Sequence, residues 1–529
     1  MINDLEDSGQ EILERATQVC VIGAGTAGIF LASELRALGI RVLLLEAGGP
    51  HSCMSSEMGQ SCEQRGIRYR GVESGRSFGL GGTSVLWGGQ LIALTPADMG
   101  ARPTVGFDAW PVQHAELAPF FSKVRKVLGL HPSEMGDADS LARRRFPALA
   151  QFDEDFALRL SEWLPFKTRN FAHAFSAVLS EGKGLEVWLN SAVVRLELEN
   201  DNGTRRLQHV LAQSTNGGQL IVRADFVVVC AGALESTRLM LAFDDATGGF
   251  ITNTGAPLGH YFADHLSVTV GRFRCNDWNA YNHALGPIFS RGVMRTPRLE
   301  LTGGAQERLG LTSAFAHFTF VTHGDSGFDV VRSLLRKRQG EQRRFEFSPA
   351  MLGKAMRDVA AIGFYKTFHR RLWIPRDAEL LLQVDIEQVP NWNSCISLTD
   401  DIDDLGRKRL AIDWQIRPED IEVIRKVVDK VGRAWDSSSL KQVAQLMLFP
   451  SESFDDFAAL YDVYHPTGSL RMGVKPSSSV VNQDLRLWAV DNCYISSTAV
   501  FASAGSANPG FNHLALTARL ARHLQQRLR

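Results

Sequence analysis

Three short apolar runs, each leading into a turn, frame this chain. Residues 19–22 end at Gly23, and Leu31, Leu35 and Leu38 then recur at helical spacing until Gly39. A run of that length before a turn reads as a buried strand, and the spacing after it as one face of an amphipathic helix. A second run, 42–45, closes on Glu46, completing a β-α-β unit. A third, 226–230, leads through Ala231, Gly232 and Ala233 into a helical segment that passes Arg238 and Leu239. Parallel strands interleaved with helices predict an α/β nucleotide-binding domain. The middle of the chain reads differently: 381–389 and 394–398 mix polar and apolar positions in the manner of antiparallel strands, which predicts a second, substrate-facing domain.

Length supports that division, because 529 residues exceed a single core and suggest two or three domains. Charge narrows the partners. With 57 basic against 58 acidic residues, the chain has no long-range field to gather a polyanion or an anionic membrane, so a small molecule is expected rather than nucleic acid. One local exception is 332–344, with Arg332, Arg336, Lys337, Arg338, Arg343 and Arg344. A solvated helix face or loop is the expected reading there, and a basic patch for a membrane surface or partner the alternative. No apolar run reaches the roughly 18 residues of a membrane span. The seven scattered cysteines are read as reduced, and the first 18 residues lack the pattern of a secretory signal, so a cytoplasmic location is expected. No His, Cys and carboxylate cluster has metal-ligand spacing, and no metal is expected.

Gly23, Gly25 and Gly28 form G-x-G-x-x-G between the first strand and helix, and Glu46 stands about twenty residues on, as in a dinucleotide fingerprint. The first glycine permits the tight turn, the second lets the backbone approach a pyrophosphate, and the third lets helix and strand pack closely. The helix N-terminus offers free N–H groups and the positive end of its dipole. Glu46 is expected to accept hydrogen bonds from the adenosine ribose. These residues alone leave FAD and NAD equally open.

Further segments decide the matter by resemblance. Residues 81–89, Gly-Gly-Thr-Ser-Val-Leu-Trp-Gly-Gly, resemble the N-terminal flavin-contacting segment of the glucose-methanol-choline (GMC) oxidoreductases. The likeness extends through 46–49, 231–233, 259–265 and the C-terminal segments Tyr464-His465-Pro466-Thr467-Gly468-Ser469 and Gly505-Ser506-Ala507-Asn508-Pro509. Within the family the chain looks most like compact bacterial members and pyranose- or glycoside-oxidising enzymes, which share the Trp110-Pro111 entry. The resemblance implies an FAD-binding Rossmann-like domain, 1–105, 186–262 and 462–529, with a discontinuous α+β substrate-binding domain on an antiparallel sheet, 106–185 and 263–461. It implies FAD contacts from Gly23, Gly25, Thr26, Ala27, Gly28, Glu46, Ala47, Gly81, Gly82, Thr83, Ser84, Trp87, Gly88, Gly89, Val193, Ala231, Gly232, Ser497, Asn508 and Pro509. Some members tether FAD through a histidine, but Leu86 stands at the matching position, so non-covalent FAD is expected.

Oxidising an alcohol removes an O–H proton and a C–H hydride, which calls for a base beside the hydroxyl and an acceptor beside the carbon. The resemblance assigns the base to His465 and the second position to Asn508, an amide able to hold the substrate oxygen. An asparagine before a proline is also a common helix start in its own right. His513 is ranked behind Asn508 as second residue, and His265 is read as a buried, hydrogen-bonded structural histidine. Ser497 and Ala502 depart from the family's usual residues beside the flavin. The expected reaction is FAD-dependent oxidation of a CH–OH group, favouring a secondary hydroxyl of a sugar or glycoside, with oxygen, a quinone or a protein as external electron acceptor. A hydroxynitrile-lyase type of reaction on the same fold, or oxidation of a non-sugar alcohol, is the alternative.

Overall fold

A computed structural model describes residues 1–58, 60–131, 134–199, 205–324, 326–340, 349–454 and 459–529. Two sheets organise them. The first is ordered Ile2–Asp4, Leu185–Leu189, Val42–Leu45, Ile12–Ile22, Gln219–Val229, Leu207–Gln213, Ala192–Leu198, with Cys493–Ile495 also beside Gln219–Val229. Its central pairs are parallel, and an antiparallel meander from Ala192 to Val229 forms one side. Only the buried end of the first long strand was legible as apolar. Its outer half, 12–18, alternates in burial and is ordered by the pairing of Ile12 to Thr17 with Gln219–Val229.

The helix Thr26–Ala37 follows the first strand, and Gly39 with φ +80° lies just beyond its end. Behind both lies the C-terminal helix Pro509–Arg527, whose Phe511, Leu514, Leu516, Leu520 and Leu524 are buried in the first core.

The second sheet is antiparallel throughout: Gln445–Leu448, His265–Arg274, Glu379–Glu387, Ala314–Val321, Val293–Leu301, Phe156–Trp163, Gln90–Leu91. The period of two sorts its faces. Leu380, Leu382, Val384 and Ile386 enter a second hydrophobic core with Val268, Ala316, Leu299 and Trp435. The intervening Gln383, Asp385 and Glu387, with His265, Ser267, His317, Arg298, Thr296 and Ser161, occupy the opposite face. That polar face is turned toward the first sheet's loops, as shown by the bonds from Arg298 to Ser506 and from His265 to Gly505.

The basic stretch enters the helix Gly327–Gln339, with a Ser326 capping box and Gly340 in the left-handed region at its end; Arg343 and Arg344 lie outside the described residues. All seven cysteines are free. Among the described residues no helix is long and apolar enough to cross a membrane.

Candidate active site

The turn after the first strand is built by backbone crowding. Gly23 has φ +103°, and a Cβ there would lie 2.8 Å from the Cys230 carbonyl oxygen; on Gly28 it would lie 1.8 Å from the Gly23 carbonyl oxygen. Only glycine allows the strand, turn and helix to close this tightly. Gly25 is different: its nearest neighbour is the Gly82 Cα at 3.9 Å, so the position is open. Gly25 heads the helix without a side-chain cap, which leaves the N–H groups of the turn that starts at Thr26 and Ala27 to a ligand. An open cradle at an uncapped helix N-terminus fits a dinucleotide pyrophosphate.

Glu46 has a second task that sequence reasoning missed. Its Oε2 accepts the Ala24 N–H at 2.7 Å, and its Oε1 accepts those of Gly48 and Gly79 at 3.0 and 2.9 Å. The buried carboxylate thus ties three loops together. Burial pushes its pKa up while those N–H donors oppose the rise. A carboxylate has about four acceptor sites, so capacity for a ribose hydroxyl remains, chiefly at Oε2.

The 81–89 segment docks on this turn through backbone contact. Gly81 donates to the Ala24 carbonyl at 2.9 Å, and a Cβ on Gly82 would meet the Gly25 Cα at 2.7 Å. Thr83 and Gly88 are exposed and Gly89 is buried with φ +67°. Ser84 and Trp87 have their polar groups engaged elsewhere. The Ser84 hydroxyl donates to the Gly81 carbonyl and accepts the Phe171 N–H, and the Trp87 indole N–H donates to the Arg169 carbonyl. Ser497 likewise accepts the Ala499 N–H. Any contact Ser84 and Trp87 make with a cofactor through a polar hydrogen is therefore pre-empted, whereas the Ser497 hydroxyl still has its proton to donate. Ala47 is half-buried, Val193 is a buried strand residue, and Ala231 and Gly232 open the helix Gly232–Ala246 after the third strand.

His465 is placed by a strained and crowded loop. Tyr464 before it has φ +64°, unusual for a side-chain-bearing residue. The His465 N–H donates to Asp264 Oδ2 at 2.7 Å, and Tyr69 donates to the same oxygen at 2.8 Å. The motif glycine, Gly468, has φ +87°, and a Cβ there would sit 2.1 Å from the Tyr261 carbonyl oxygen. These contacts join two segments about 200 residues apart in the chain.

The side chain of His465 meets His265, Nδ1 to Nδ1, at 3.0 Å, and His265 Nε2 lies 2.6 Å from the Gly505 carbonyl oxygen. Burial lowers the pKa of both imidazoles; for His465, burial followed by repulsion from a cationic His265 brings it down to about 3. Both rings are therefore neutral near pH 7, and each carries one N–H. A carbonyl only accepts, so the His265 proton is on Nε2 and its Nδ1 is an acceptor. His465 must then donate from Nδ1, which leaves its Nε2 with a free lone pair. No hydrogen bond among the described residues uses that nitrogen, and the residue is only half-buried. The network fixes the tautomer a proton acceptor needs.

Asp264, His265 and His465 also bring potential ligand atoms within 4.8 Å of one another. Both Asp264 oxygens already accept hydrogen bonds, from Tyr69, His465 and Val463, and both His265 nitrogens are engaged. The trio is held together as a hydrogen-bond network.

Asn508 sits at the N-cap of Pro509–Arg527, with Pro509 buried at the first helical position, yet its side chain makes no capping bond. Its Oδ1 is buried and has no partner. Leaving such an oxygen unpaired costs about 1–3 kcal/mol, and a helix start alone does not explain it. His513 is instead turned inward, 3.4 Å from the Ser496 hydroxyl, with burial lowering its pKa to about 4.

Charges on the facing sheet are largely compensated. Burial would raise the Glu300 pKa, but Arg159 and Arg298 outweigh it and hold the carboxyl at about 2. Arg298 also donates to the Ser506 carbonyl at 2.6 Å. Asp385, where His317 outweighs the effect of burial, stays below the usual carboxylate range. Hydroxyl and amide groups fill the remainder: Gln90 donates to Ser161 at 2.6 Å, and Ser161 and Trp163 both reach Thr296.

An FAD-dependent oxidoreductase family model matches residues 18–260, and a GMC oxidoreductase C-terminal model matches 390–517, spanning the His465 and Asn508 segments. The chain belongs to the GMC oxidoreductases. Like that family it is an FAD enzyme that oxidises a CH–OH group. Among curated proteins, this GMC oxidoreductase is 22% identical to 6'''-hydroxyparomomycin C oxidase from Streptomyces lividus over 97% of this chain and 92% of that one. It is 28% identical to a gluconate 2-dehydrogenase flavoprotein from Pantoea cypripedii over only 21% and 17% of the two chains. Among solved structures, pyridoxine 4-oxidase from Mesorbium loti shares the fold with a TM-score of 0.58 and 18% identity, covering 96% and 99%. A formate oxidase shares it with a TM-score of 0.59 and 14% identity, covering 97% and 99%.

Proposed function

We propose that this GMC oxidoreductase oxidises a secondary hydroxyl of a sugar or glycoside, with His465 as general base and Asn508 holding the reacting oxygen. One observation carries the reading: a tautomer-fixed imidazole with a free Nε2 is tied through His265 to Gly505, in the segment that bears Asn508, whose side-chain amide is not spent on capping its helix. FAD, when bound, supplies the hydride acceptor. The chain's own part is the proton. His465 Nε2 takes it from the hydroxyl while Nδ1–H stays bonded to His265, and the Asn508 Nδ2–H donates to the oxygen as charge develops on it. The polar face of the second sheet suits a substrate bearing several hydroxyls, and a relative named as an oxidase of 6'''-hydroxyparomomycin C supports that class. FAD is read as non-covalent because Leu86 offers no nucleophile. The unpaired thiols suit a reducing cytoplasmic setting.

Anaerobic addition of a panel of sugars, glycosides and simple alcohols to the yellow enzyme tests the substrate class. Bleaching by glycosides but not simple alcohols is the expected result, and bleaching by simple alcohols alone would overturn the sugar reading. Readmitting air then separates oxygen from other acceptors.

Three further outcomes are expected. His465 acts in its neutral form and its pKa is depressed, so kcat/KM should hold as pH falls through the free imidazole's value of about 6.5. A limb that drops between pH 6 and 7 would argue against His465 as the base. Replacing His265 with phenylalanine removes the acceptor that fixes the tautomer; kcat should fall about 10- to 100-fold, as for other orienting partners, with FAD content unchanged. Equal kcat in that variant would leave His265 a packing residue. Replacing Asn508 with alanine deletes an unpaired buried oxygen, so the cofactor-free protein should melt about 2 °C or more higher for each kcal/mol relieved, while turnover falls. Calorimetry beside steady-state rates reads both.

A further inference from the structure

The helix Pro349–Phe364 and the π-helical turn Tyr365–His369 after it carry an apolar stripe left open to solvent. Met356, Val359, Phe364 and Phe368 are 68%, 46%, 51% and 73% exposed. With the exposed Ala360 and Gly363 they recur at three- and four-residue steps, which is one face of a helix. The Phe364 and Phe368 rings lie 5.0 Å apart, side by side on that face. The opposite side is anchored: Ala355 and Asp358 are buried, and Asp358 accepts the Gly327 N–H at 2.9 Å at the start of the neighbouring helix Gly327–Gln339. That helix adds Leu334, 51% exposed. A single exposed apolar residue needs no explanation, but a continuous aromatic ridge does.

The charge around the ridge is one-sided. The two helices and the turn carry Arg332, Arg336, Lys337, Arg338, Arg357 and Lys366 against Asp329 and Asp358, although the whole chain is at −1. Asp329 is held in its capping box and by Thr322, and Asp358 accepts the Gly327 N–H beneath the helix and pairs at 3.6 Å with Arg357, whose side chain stays 77% exposed. Lys366 Nζ lies 5.2 Å over the Phe289 ring. Lys and Arg beside a protruding apolar stripe are the composition of an interfacial helix, whose apolar face enters the headgroup and acyl boundary while the cations meet anionic lipid.

We propose that this ridge docks the enzyme on an anionic lipid bilayer, with Phe364 and Phe368 inserted and Arg357, Lys366 and the basic helix at the headgroups. A second copy of the chain fits less well, because a two-fold pairing would set the same basic surplus against itself. Docking bears on the site through Gln339, the last residue of the basic helix. Its side chain donates to the Ser84 and Trp87 carbonyls at 3.1 and 2.9 Å, and its own carbonyl accepts from Asn170. The helix that supports the ridge thus ends on the flavin-contacting segment, so a substrate or electron acceptor held in the membrane would be presented to the site.

Sedimentation of the FAD-loaded enzyme with vesicles of equal parts phosphatidylglycerol and phosphatidylcholine, against pure phosphatidylcholine, tests this. Wild type should bind the anionic vesicles at least about tenfold better, and added salt should weaken that binding. The pairs Phe364→Ser with Phe368→Ser and Arg357→Glu with Lys366→Glu should each lose about tenfold or more, with flavin absorbance and turnover of a soluble substrate unchanged. Wild type remaining in the supernatant with anionic vesicles, or both paired variants binding like wild type, overturns the proposal. So does a dimer in analytical ultracentrifugation that the phenylalanine pair dissolves without any vesicle binding, since that assigns the ridge to a second copy.

Discussion

Alanine at His465 should leave a yellow, folded protein whose flavin substrate no longer bleaches. A positioned base contributes about 100- to 10,000-fold, and the rate of flavin reduction should fall by that factor. The fold should tolerate the change, because what Asp264 holds is the residue's backbone N–H, which alanine keeps, and the imidazole's one side-chain bond is to His265. Losing that bond frees His265 Nδ1 but leaves its bond to Gly505 intact. Stopped-flow reduction under nitrogen, with FAD content measured beside it, separates lost chemistry from lost cofactor. Near-normal reduction would remove His465 from the mechanism and return attention to the Asn508 amide.

Alanine at Gly28 should prevent FAD uptake altogether. Its Cβ would be driven to 1.8 Å from the Gly23 carbonyl oxygen, a backbone atom in a turn already crowded by Cys230. Relief requires the helix Thr26–Ala37 to move away from the strand Ile12–Ile22, which dismantles the cradle at Gly25 and strains the loops that Glu46 holds together. A clash of backbone with backbone belongs with the few substitutions that cost more than about 4 kcal/mol. The variant should purify colourless, or fail to accumulate, and added FAD should not restore its absorbance. A yellow Gly28→Ala protein with ordinary FAD affinity would show that the cofactor does not depend on this turn.

The G-x-G-x-x-G turn was fully legible because its logic is local. Gly23 and Gly28 are required by atoms within a few residues or in the adjacent strand, and a strand, turn and helix read from periodicity already fix that arrangement. The helix beginning at Pro509 was legible for the same reason. Other elements were legible in kind but not in extent: the first strand starts at Ile12 rather than near Val19, because its outer half is stabilised by pairing with Gln219–Val229 rather than by its own apolar character.

His265 shows what the sequence hides. A histidine after an aspartate on a strand carries no mark of its partner, and its approach to His465 depends on two segments about 200 residues apart meeting through Asp264 and the Ala263–Thr467 bridge. Ser84 and Trp87 show the reverse: the resemblance names both as FAD contacts, while in the fold the Ser84 hydroxyl donates to Gly81 and accepts from Phe171, and the Trp87 indole N–H donates to Arg169.

By itself, then, the sequence determined the β-α-β cradle, the two kinds of sheet and the segments bearing His465 and Asn508, since each depends on spacing and on neighbours close along the chain. Only the tertiary structure decided which tautomer His465 adopts, that Asn508 leaves its helix uncapped, and that a basic run borders an exposed aromatic ridge. Those outcomes depend on directions and distances between residues far apart in the chain, and a hydrogen bond or a surface patch exists only once folding has brought both sides together.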